Sequence, residues 1–404
     1  MSQYGVLILI MAIAVLAPLL AYGVGRWLPV PLVIFEILLG IVVGPDVLGW
    51  AHGGQTIDAL SELGLAMLIF LAGYEIEFDK VRGDTLKRAL RAWVISLAFG
   101  LLLASALAGW SYTKGVYLGT ALISTALGTV LPVLRDSGDL HSRFGSVMMA
   151  FGSVGEFGPI VAMALLLSGR SPIESAALLA AFALIIAGAV FWAMRPRPPW
   201  FSQVIAKTLH SSGQFAVRLV VLLLAVMLGA STALGVDMLL GAFAAGMVVR
   251  LVLHGAAPES AHEVVAKVEA MGFGFLVPIF FVVTGIEFDL DALLDGGRAL
   301  VLLPVFLALF LVVRGGPVYA LAPRDLGPGD RRALTLFSST ALPLVVAITT
   351  IGVKAGVLRT DEAAALVGAG MLSVLVFPLI GLKLRAGKGE RALPKGPVTG
   401  AESW

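Results

Sequence analysis

Apolar runs of about 20 residues succeed one another along the chain, broken by short polar stretches, as in helices that each cross ~30 Å of hydrocarbon. They predict thirteen spans, at roughly 4–25, 28–45, 58–78, 87–109, 115–134, 143–168, 173–194, 213–235, 237–253, 270–286, 298–321, 331–353 and 362–384. Many of the runs contain glycine or proline, which membrane helices tolerate where neighbours approach closely or a helix is broken. The expected fold class is an all-α polytopic membrane protein. One transmembrane domain covers 1–384, and the Gly-, Pro- and Lys-rich stretch 385–404 is expected to be a disordered cytoplasmic tail. The first run lacks a basic segment before it and is long enough to span, so it reads as a retained helix.

The pattern repeats. Ser124-Thr125-Ala126-Leu127 recurs 215 residues later as Ser339-Thr340-Ala341-Leu342. Gly73-Tyr74-Glu75-Ile76-Glu77-Phe78-Asp79 is echoed 212 residues on by Gly285-Ile286-Glu287-Phe288-Asp289-Leu290-Asp291. Arg88-Ala89-Leu90 matches Arg298-Ala299-Leu300 at an offset of 210. An odd number of spans separates the partners, so the two copies, roughly 28–168 and 237–384, face opposite ways across the bilayer. Inverted repeats of this kind build transporters whose site lies near the midplane.

Composition narrows the class further. The chain is 59% hydrophobic and 13% charged, with a mean hydropathy of +0.97, which excludes a soluble domain. It contains no cysteine, which excludes disulfides and thiolate metal sites, and the five histidines form no ligand pair at helical spacing. With the N-terminus placed outside, 22 of the 28 lysines and arginines fall in inner loops or the tail, the expected bias for a cytoplasmic side. The acidic cluster Glu287, Asp289, Asp291 and Asp295 then falls outside. The expected location is the cell inner (plasma) membrane, with the bilayer as partner and no nucleic acid. Trp27, Trp50, Trp110, Trp192 and Trp200 lie near span ends, where aromatic belts form. No Walker motif and no attached nucleotide-binding domain is expected in this chain, and no cofactor.

Charges inside spans mark function by default. Glu156 sits in the middle of its span, in Phe151-Gly152-Ser153-Val154-Gly155-Glu156-Phe157-Gly158-Pro159, and Arg314 lies well inside another. A mid-membrane carboxylate among glycines suits a proton or a metal cation, which compete for it. The alternative is a buried structural pair between Glu156 and Arg314. The repeated Ser-Thr-Ala-Leu segments supply a second component. Gly128 and Pro132 follow one and Pro343 the other, so each predicts a broken helix at the midplane. Ser124, Thr125, Ser339 and Thr340, with Ser153, then become candidate oxygen ligands for a hard monovalent cation, Thr125 and Glu156 foremost. The alternative is back-bonding of these hydroxyls to their own helices. Glu36 also lies within a span, as a candidate accessory carboxylate or a structural residue at a helix interface.

Four stretches carry a resemblance: Pro31–Gly49 (PLVIFEILLGIVVGPDVLG), Leu60–Phe78 (LSELGLAMLIFLAGYEIEF), Ser124–Asp136 (STALGTVLPVLRD) and Pro278–Phe288 (PIFFVVTGIEF). Together the chain resembles the cation:proton antiporter 2 family of sodium or potassium/proton exchangers. The resemblance implies thirteen helices, a moving six-helix core with two crossed broken helices, a homodimer, and transport of Na⁺ or K⁺ against H⁺. It aligns the family's acidic or amide pair with Gly155-Glu156, and its span-11 basic residue with Arg314. The chain departs from that pattern in having one carboxylate and an arginine, which keeps its proton, and this points to electroneutral exchange. Two rival readings remain at this point: a sodium-coupled organic-anion symporter of related fold, and a sensor or channel-like homologue that has lost turnover.

Overall fold

The computed structural model describes residues 3–25, 30–75, 83–140, 142–166, 172–194, 199–235, 238–256, 258–294 and 297–386. The described residues form helices, with no strand among them. In chain order they are α1 (Gln3–Gly25), α2 (Leu32–Val43), α3 (Gln55–Glu75), α4 (Asp84–Leu107), α5 (Tyr112–Leu122), α6 (Leu127–Asp136), α7 (Arg143–Leu166), α8 (Pro172–Met194), α9 (Pro199–Thr208) and α10 (Phe215–Ala233). Then come α11 (Met238–Ala256), α12 (Pro258–Met271), α13 (Val277–Ile286), α14 (Leu290–Leu294), α15 (Arg298–Leu309), α16 (Gly316–Leu321), α17 (Pro328–Ser338), α18 (Pro343–Lys354) and α19 (Thr360–Ala386).

Eleven helical stretches among the described residues are long and apolar enough to cross a membrane, and Leu32–Val43 and Ala180–Phe191 are shorter apolar helices. Each of them overlaps a predicted run, and several begin a few residues before it. Trp50 and Trp110 are exposed at helix ends, as belt positions are. Trp27, Glu77, Asp79, Asp237, Asp295 and the stretch 387–404 lie outside the described residues.

The structure differs from the pattern in three places. Pro258–Met271, expected as loop, is a helix that runs on through a π-turn at Gly272–Leu276 into α13. Residues 199–208, also expected as loop, form α9. The span over 298–321 is not a regular α-helix, because Phe310–Gly315 is a π-turn and Arg314 sits in it. A π-turn inserts one extra residue per turn, a local register change that no hydrophobic period reveals.

Glycines set the close approaches. A Cβ on Gly40 would lie 2.3 Å from the Val282 carbonyl oxygen, and one on Gly285 would lie 2.1 Å from that of Ile37. The same reciprocity joins Gly73 to the Phe243 carbonyl (2.3 Å) and Gly246 to that of Phe70 (2.1 Å). Backbone therefore meets backbone where α2 packs on α13 and α3 on α11. Between membrane helices this close packing replaces the hydrophobic drive that water supplies to soluble proteins. Within this scaffold α3 and α13 end at opposite faces. Glu75 closes α3 beside Glu269, whereas Glu287 follows α13 beside Asp58 at the other end of α3.

Candidate functional site

Two helices are interrupted at the same depth. Between α5 and α6 the chain leaves the helix over Ile123–Ala126, and between α17 and α18 over Ser339–Leu342. The breaks coincide with the repeated Ser-Thr-Ala-Leu segments. Gly128 and Pro132 do not make the first break, because both lie inside α6. Pro343 does open the helix after the second, at its first position, where its missing N–H costs no hydrogen bond.

Unpaired backbone groups cost several kcal/mol each in a membrane interior, so each break needs partners, and the two breaks serve each other. The Ala126 N–H donates to the Thr340 carbonyl (2.7 Å), and the Thr125 N–H to the Gly155 carbonyl of α7 (2.9 Å). The Ala341 N–H donates to the Ser373 hydroxyl of α19 (3.0 Å), which lies within donating distance of the Gly370 and Ala341 carbonyls (2.7 and 3.1 Å). Ser373 was not legible as a site residue, since a lone serine in an apolar run carries no signal of its own. Its counterpart at the first break is a backbone carbonyl. Ser373→Ala is expected to lower the maximal exchange rate more than the apparent cation affinity, with Ser373→Thr restoring much of the rate. A rate equal to wild type in Ser373→Ala would show that the second break holds without it.

Arg314 is fully buried and locks the crossing from the side. Its Nε donates to the Thr125 hydroxyl (2.9 Å) and one Nη to the Phe151 carbonyl (2.7 Å), while the Thr125 hydroxyl donates to the Ser338 carbonyl at the end of α17 (2.6 Å). One guanidinium thereby ties together α7, the first break and the last turn of α17. The other Nη has no hydrogen-bond partner.

Glu156 is buried with 2% of its surface exposed. Its carboxylate faces the Leu127 backbone N–H, at the start of α6, and the charge of Glu75 acts on it. One of its oxygens, Oε2, has no partner, nor has the nearby Ser153 hydroxyl. Among the described residues Glu156 and Arg314 form no hydrogen bond with each other: Arg314 spends its bonds on Thr125 and Phe151.

The remaining predicted hydroxyls are tied to their own helices. Ser124 donates to the Ala121 carbonyl (2.8 Å), Ser339 to that of Thr335 (2.8 Å) and Thr340 to that of Leu336 (3.3 Å). Only their acceptor lone pairs remain free. Gly155 is the residue that makes room for Arg314. A Cβ there would lie 2.3 Å from both the arginine Nη and the Thr125 hydroxyl oxygen.

Cavities approach this centre from both faces. On the face where α19 ends, a space of about 690 Å³ between α2, α13 and α6 is walled by Glu36, Gly128 and Thr129. A small one beside it, of about 40 Å³, holds Glu75 and Glu269 and shares Leu68, Gly128 and Phe273 with it. On the opposite face two spaces of about 310 Å³ each share Thr284, Glu287, Thr350 and Lys354. Burial, with Asp58 adding to it, holds the Glu287 carboxyl above the usual carboxylate range, and Lys354 opposes this. Glu36 therefore stands on a wall of its own, in a space whose described lining does not include Glu156.

Known proteins place this arrangement. The chain is 28% identical over 401 residues to the putative Na(+)/H(+) antiporter YjbQ of Bacillus subtilis, covering 94% of this chain and 62% of that protein's length. It is 24% identical over 390 residues to the Na(+)/H(+)-K(+) antiporter GerN of Bacillus cereus, covering 95% and 97%. The structure of the sodium proton antiporter MjNhaP1 from Methanocaldococcus jannaschii at pH 8 superposes with a TM-score of 0.64 at 16% identity, over 94% of this chain and 95% of that one, a likeness of fold. The family profile described as "Sodium/hydrogen exchanger, transmembrane" matches residues 11–382. A chain matched over nearly its full length by that profile, with two interrupted helices crossing beside a buried carboxylate, belongs to the sodium/hydrogen exchanger family of multi-pass monovalent cation/proton antiporters.

Proposed function

We propose that this chain exchanges Na⁺ or K⁺ for H⁺ one for one, with Glu156 as the group that holds the proton and the cation in turn. The observation that carries the reading is the Glu156 carboxylate: buried, one oxygen without a partner, and set at the first turn of α6 beside the helix crossing. A carboxylate already paired with Arg314 would have no need of a cation. Here Arg314 is bound elsewhere, so Glu156 is left for an ion. Ser153 and the lone pair that Thr125 does not give to Arg314 are candidate additional oxygens, and together with those of Ser124, Ser339 and Thr340 they make the candidate cage.

The reading extends to the architecture. The reciprocal glycine contacts, Gly40 with Gly285 and Gly73 with Gly246, support two inverted repeats, since Gly73 and Gly285 hold the same place in the repeated motif and end their helices at opposite faces. The core of α4 to α7 and α15 to α19 would move as a unit against α1 to α3 and α10 to α13, which would also form the homodimer. The wall between these two sets carries the cavities at both faces, as alternating access requires. The N-terminus lies outside and the C-terminus in the cytoplasm, and the motifs favour the cation:proton antiporter 2 branch.

One carboxylate that carries either one proton or one monovalent cation gives the loaded core the same charge in both directions. Arg314 stays positive throughout and balances Glu156 when the site is empty. Exchange is therefore expected to be insensitive to voltage, where one uncompensated charge would be worth about 2.3 kcal/mol per 100 mV. Proteoliposomes with an internal pH dye, challenged in turn with Na⁺, K⁺ and Li⁺, identify the cation. Solid-supported-membrane recording of the same vesicles should show no sustained transport current. A current that scales with turnover would demand a second titrating group and would overturn the one-for-one cycle.

A further inference from the structure

The half-helices that meet at the crossing are tied, at their ends away from it, to one continuous helix. At the face where α19 begins, Glu362 is buried with 4% exposure. The Lys114 Nζ donates to it from the first turn of α5 (2.7 Å), and an Arg298 Nη from the first residue of α15 (3.0 Å). The Arg359 N–H, just before α19, donates to its second oxygen (3.3 Å). At the face where α19 ends, Arg385 has 14% of its side chain exposed. Its Nε and one Nη fork onto Asp139, just past α6 (3.1 and 2.5 Å), and the other Nη donates to Asp330 in the first turn of α17 (2.9 Å). The guanidinium also lies 3.7 Å from the centre of the Phe144 ring at the start of α7. The fourth half-helix, α18, joins α19 through residues 355–359. Between these two ends, Ser373 of the same helix holds the second break.

We infer that Glu362 and Arg385 are positioning residues for exchange: they make α19 the strut that sets where the two breaks lie. Half-helices that end at a break share no hydrogen-bond ladder across it, so their spacing has to come from elsewhere. From Lys114 to Ile123 is about 14 Å along the helix axis, and from Glu362 to Ser373 about 17 Å. Both breaks are therefore measured from one carboxylate over nearly the same distance. α15 starts at that carboxylate too, and it leads to the π-turn that carries Arg314. The charges suit the strut, since the acids of its first turn and the bases of its last complement the helix dipole. Loss of Glu362 leaves Lys114 and Arg298 side by side without their counter-charge. The ends of α5 and α15 then part from α19, and the hydrogen bonds at the crossing loosen. The pair of Arg143 with Asp325 is different: both side chains are 55% exposed, and such pairs contribute little.

The inference rests on the crossing being the ion site, so its test reads the crossing directly as well as exchange. Hydrogen–deuterium exchange of the purified full-length protein is followed in peptides covering 123–127 and 339–342, whose Ala126 and Ala341 N–H groups hold the breaks. In Glu362→Gln both peptides are expected to lose protection about tenfold, and the maximal cation/proton exchange rate to fall by about the same factor with apparent cation affinity little changed. Glu362→Asp should restore part of both, and Asp325→Asn should change neither. Should Glu362→Gln fail to fold, Lys114→Gln is expected to release 123–127, and Arg385→Gln both peptides. Loss of protection confined to the first turns of α5, α15 and α19, wild-type turnover in Glu362→Gln, or an equal effect of Asp325→Asn would each overturn the strut. The deuterium reading does not pass through Glu156, so failure of the strut leaves the role of Glu156 standing.

Discussion

Glu156→Gln is expected to reduce cation-driven proton movement to background while the protein stays folded and elutes as wild type does. The substitution keeps the size of the side chain and removes the group that takes up either ion. Nothing in the packing depends on the charge: Oε2 has no partner and no ion pair to Arg314 is lost. The structural cost is limited to the polar contacts of an amide, on the order of 1 kcal/mol. Glu156→Asp keeps the charge but withdraws it by one methylene from the Leu127 N–H, and partial exchange with weakened cation affinity is expected. The measurement is dequenching of an internal pH dye on addition of Na⁺ or K⁺. Exchange in Glu156→Gln at the wild-type rate would remove Glu156 from the ion path.

The second large effect is expected at the residue next to it. Gly155→Ala puts a methyl group 2.3 Å from the Arg314 Nη and from the Thr125 hydroxyl oxygen, and 2.7 Å from the Thr125 Cβ. These atoms belong to a break and a buried guanidinium, so they cannot give way cheaply. Overpacking of a tight site costs about 1–3 kcal/mol. If Arg314 swings away, its bonds to Thr125 and Phe151 are lost as well, and a hydrogen bond to a charged group is worth about 1.5–3 kcal/mol. Gly155→Ala is therefore expected to lose exchange and to melt well below wild type. A double-mutant cycle separates this from a general defect. In an Arg314→Met background the space is relieved, so the added loss on Gly155→Ala should shrink sharply in thermal stability. Additive losses, or a Gly155→Ala protein with wild-type stability, would show that Arg314 does not occupy the place of the missing side chain.

This contact also accounts for the chain's departure from its family pattern. Where the resemblance leads one to expect an acidic or amide side chain, the structure has a guanidinium arriving from the π-turn over Phe310–Gly315. The glycine and the arginine are one feature, although they lie far apart in the chain. No spacing rule connects residue 155 to residue 314, and the π-turn that aims the arginine leaves no mark on hydrophobic period.

What the sequence determined by itself is what depends on local and periodic properties. Apolar run length identified the membrane helices, because hydrocarbon thickness sets that length directly. The doubled Ser-Thr-Ala-Leu motif located both interruptions within a residue or two, since a break must recur wherever the repeated backbone recurs. An acid in the middle of an apolar run singled out Glu156 as the candidate ion-binding carboxylate, because a charge is costly there, and the structure buries it. Only the tertiary structure decided which groups meet. It tied Arg314 to Thr125 and Phe151 instead of Glu156. It turned the Ser124, Ser339 and Thr340 protons back onto their own helices. It brought Ser373 to the second break and placed Glu36 in a cavity of its own. Each of these depends on distances between segments far apart in sequence. Such distances are set by how helices pack, and helix packing turns on glycine contacts and register shifts that one-dimensional patterns do not encode.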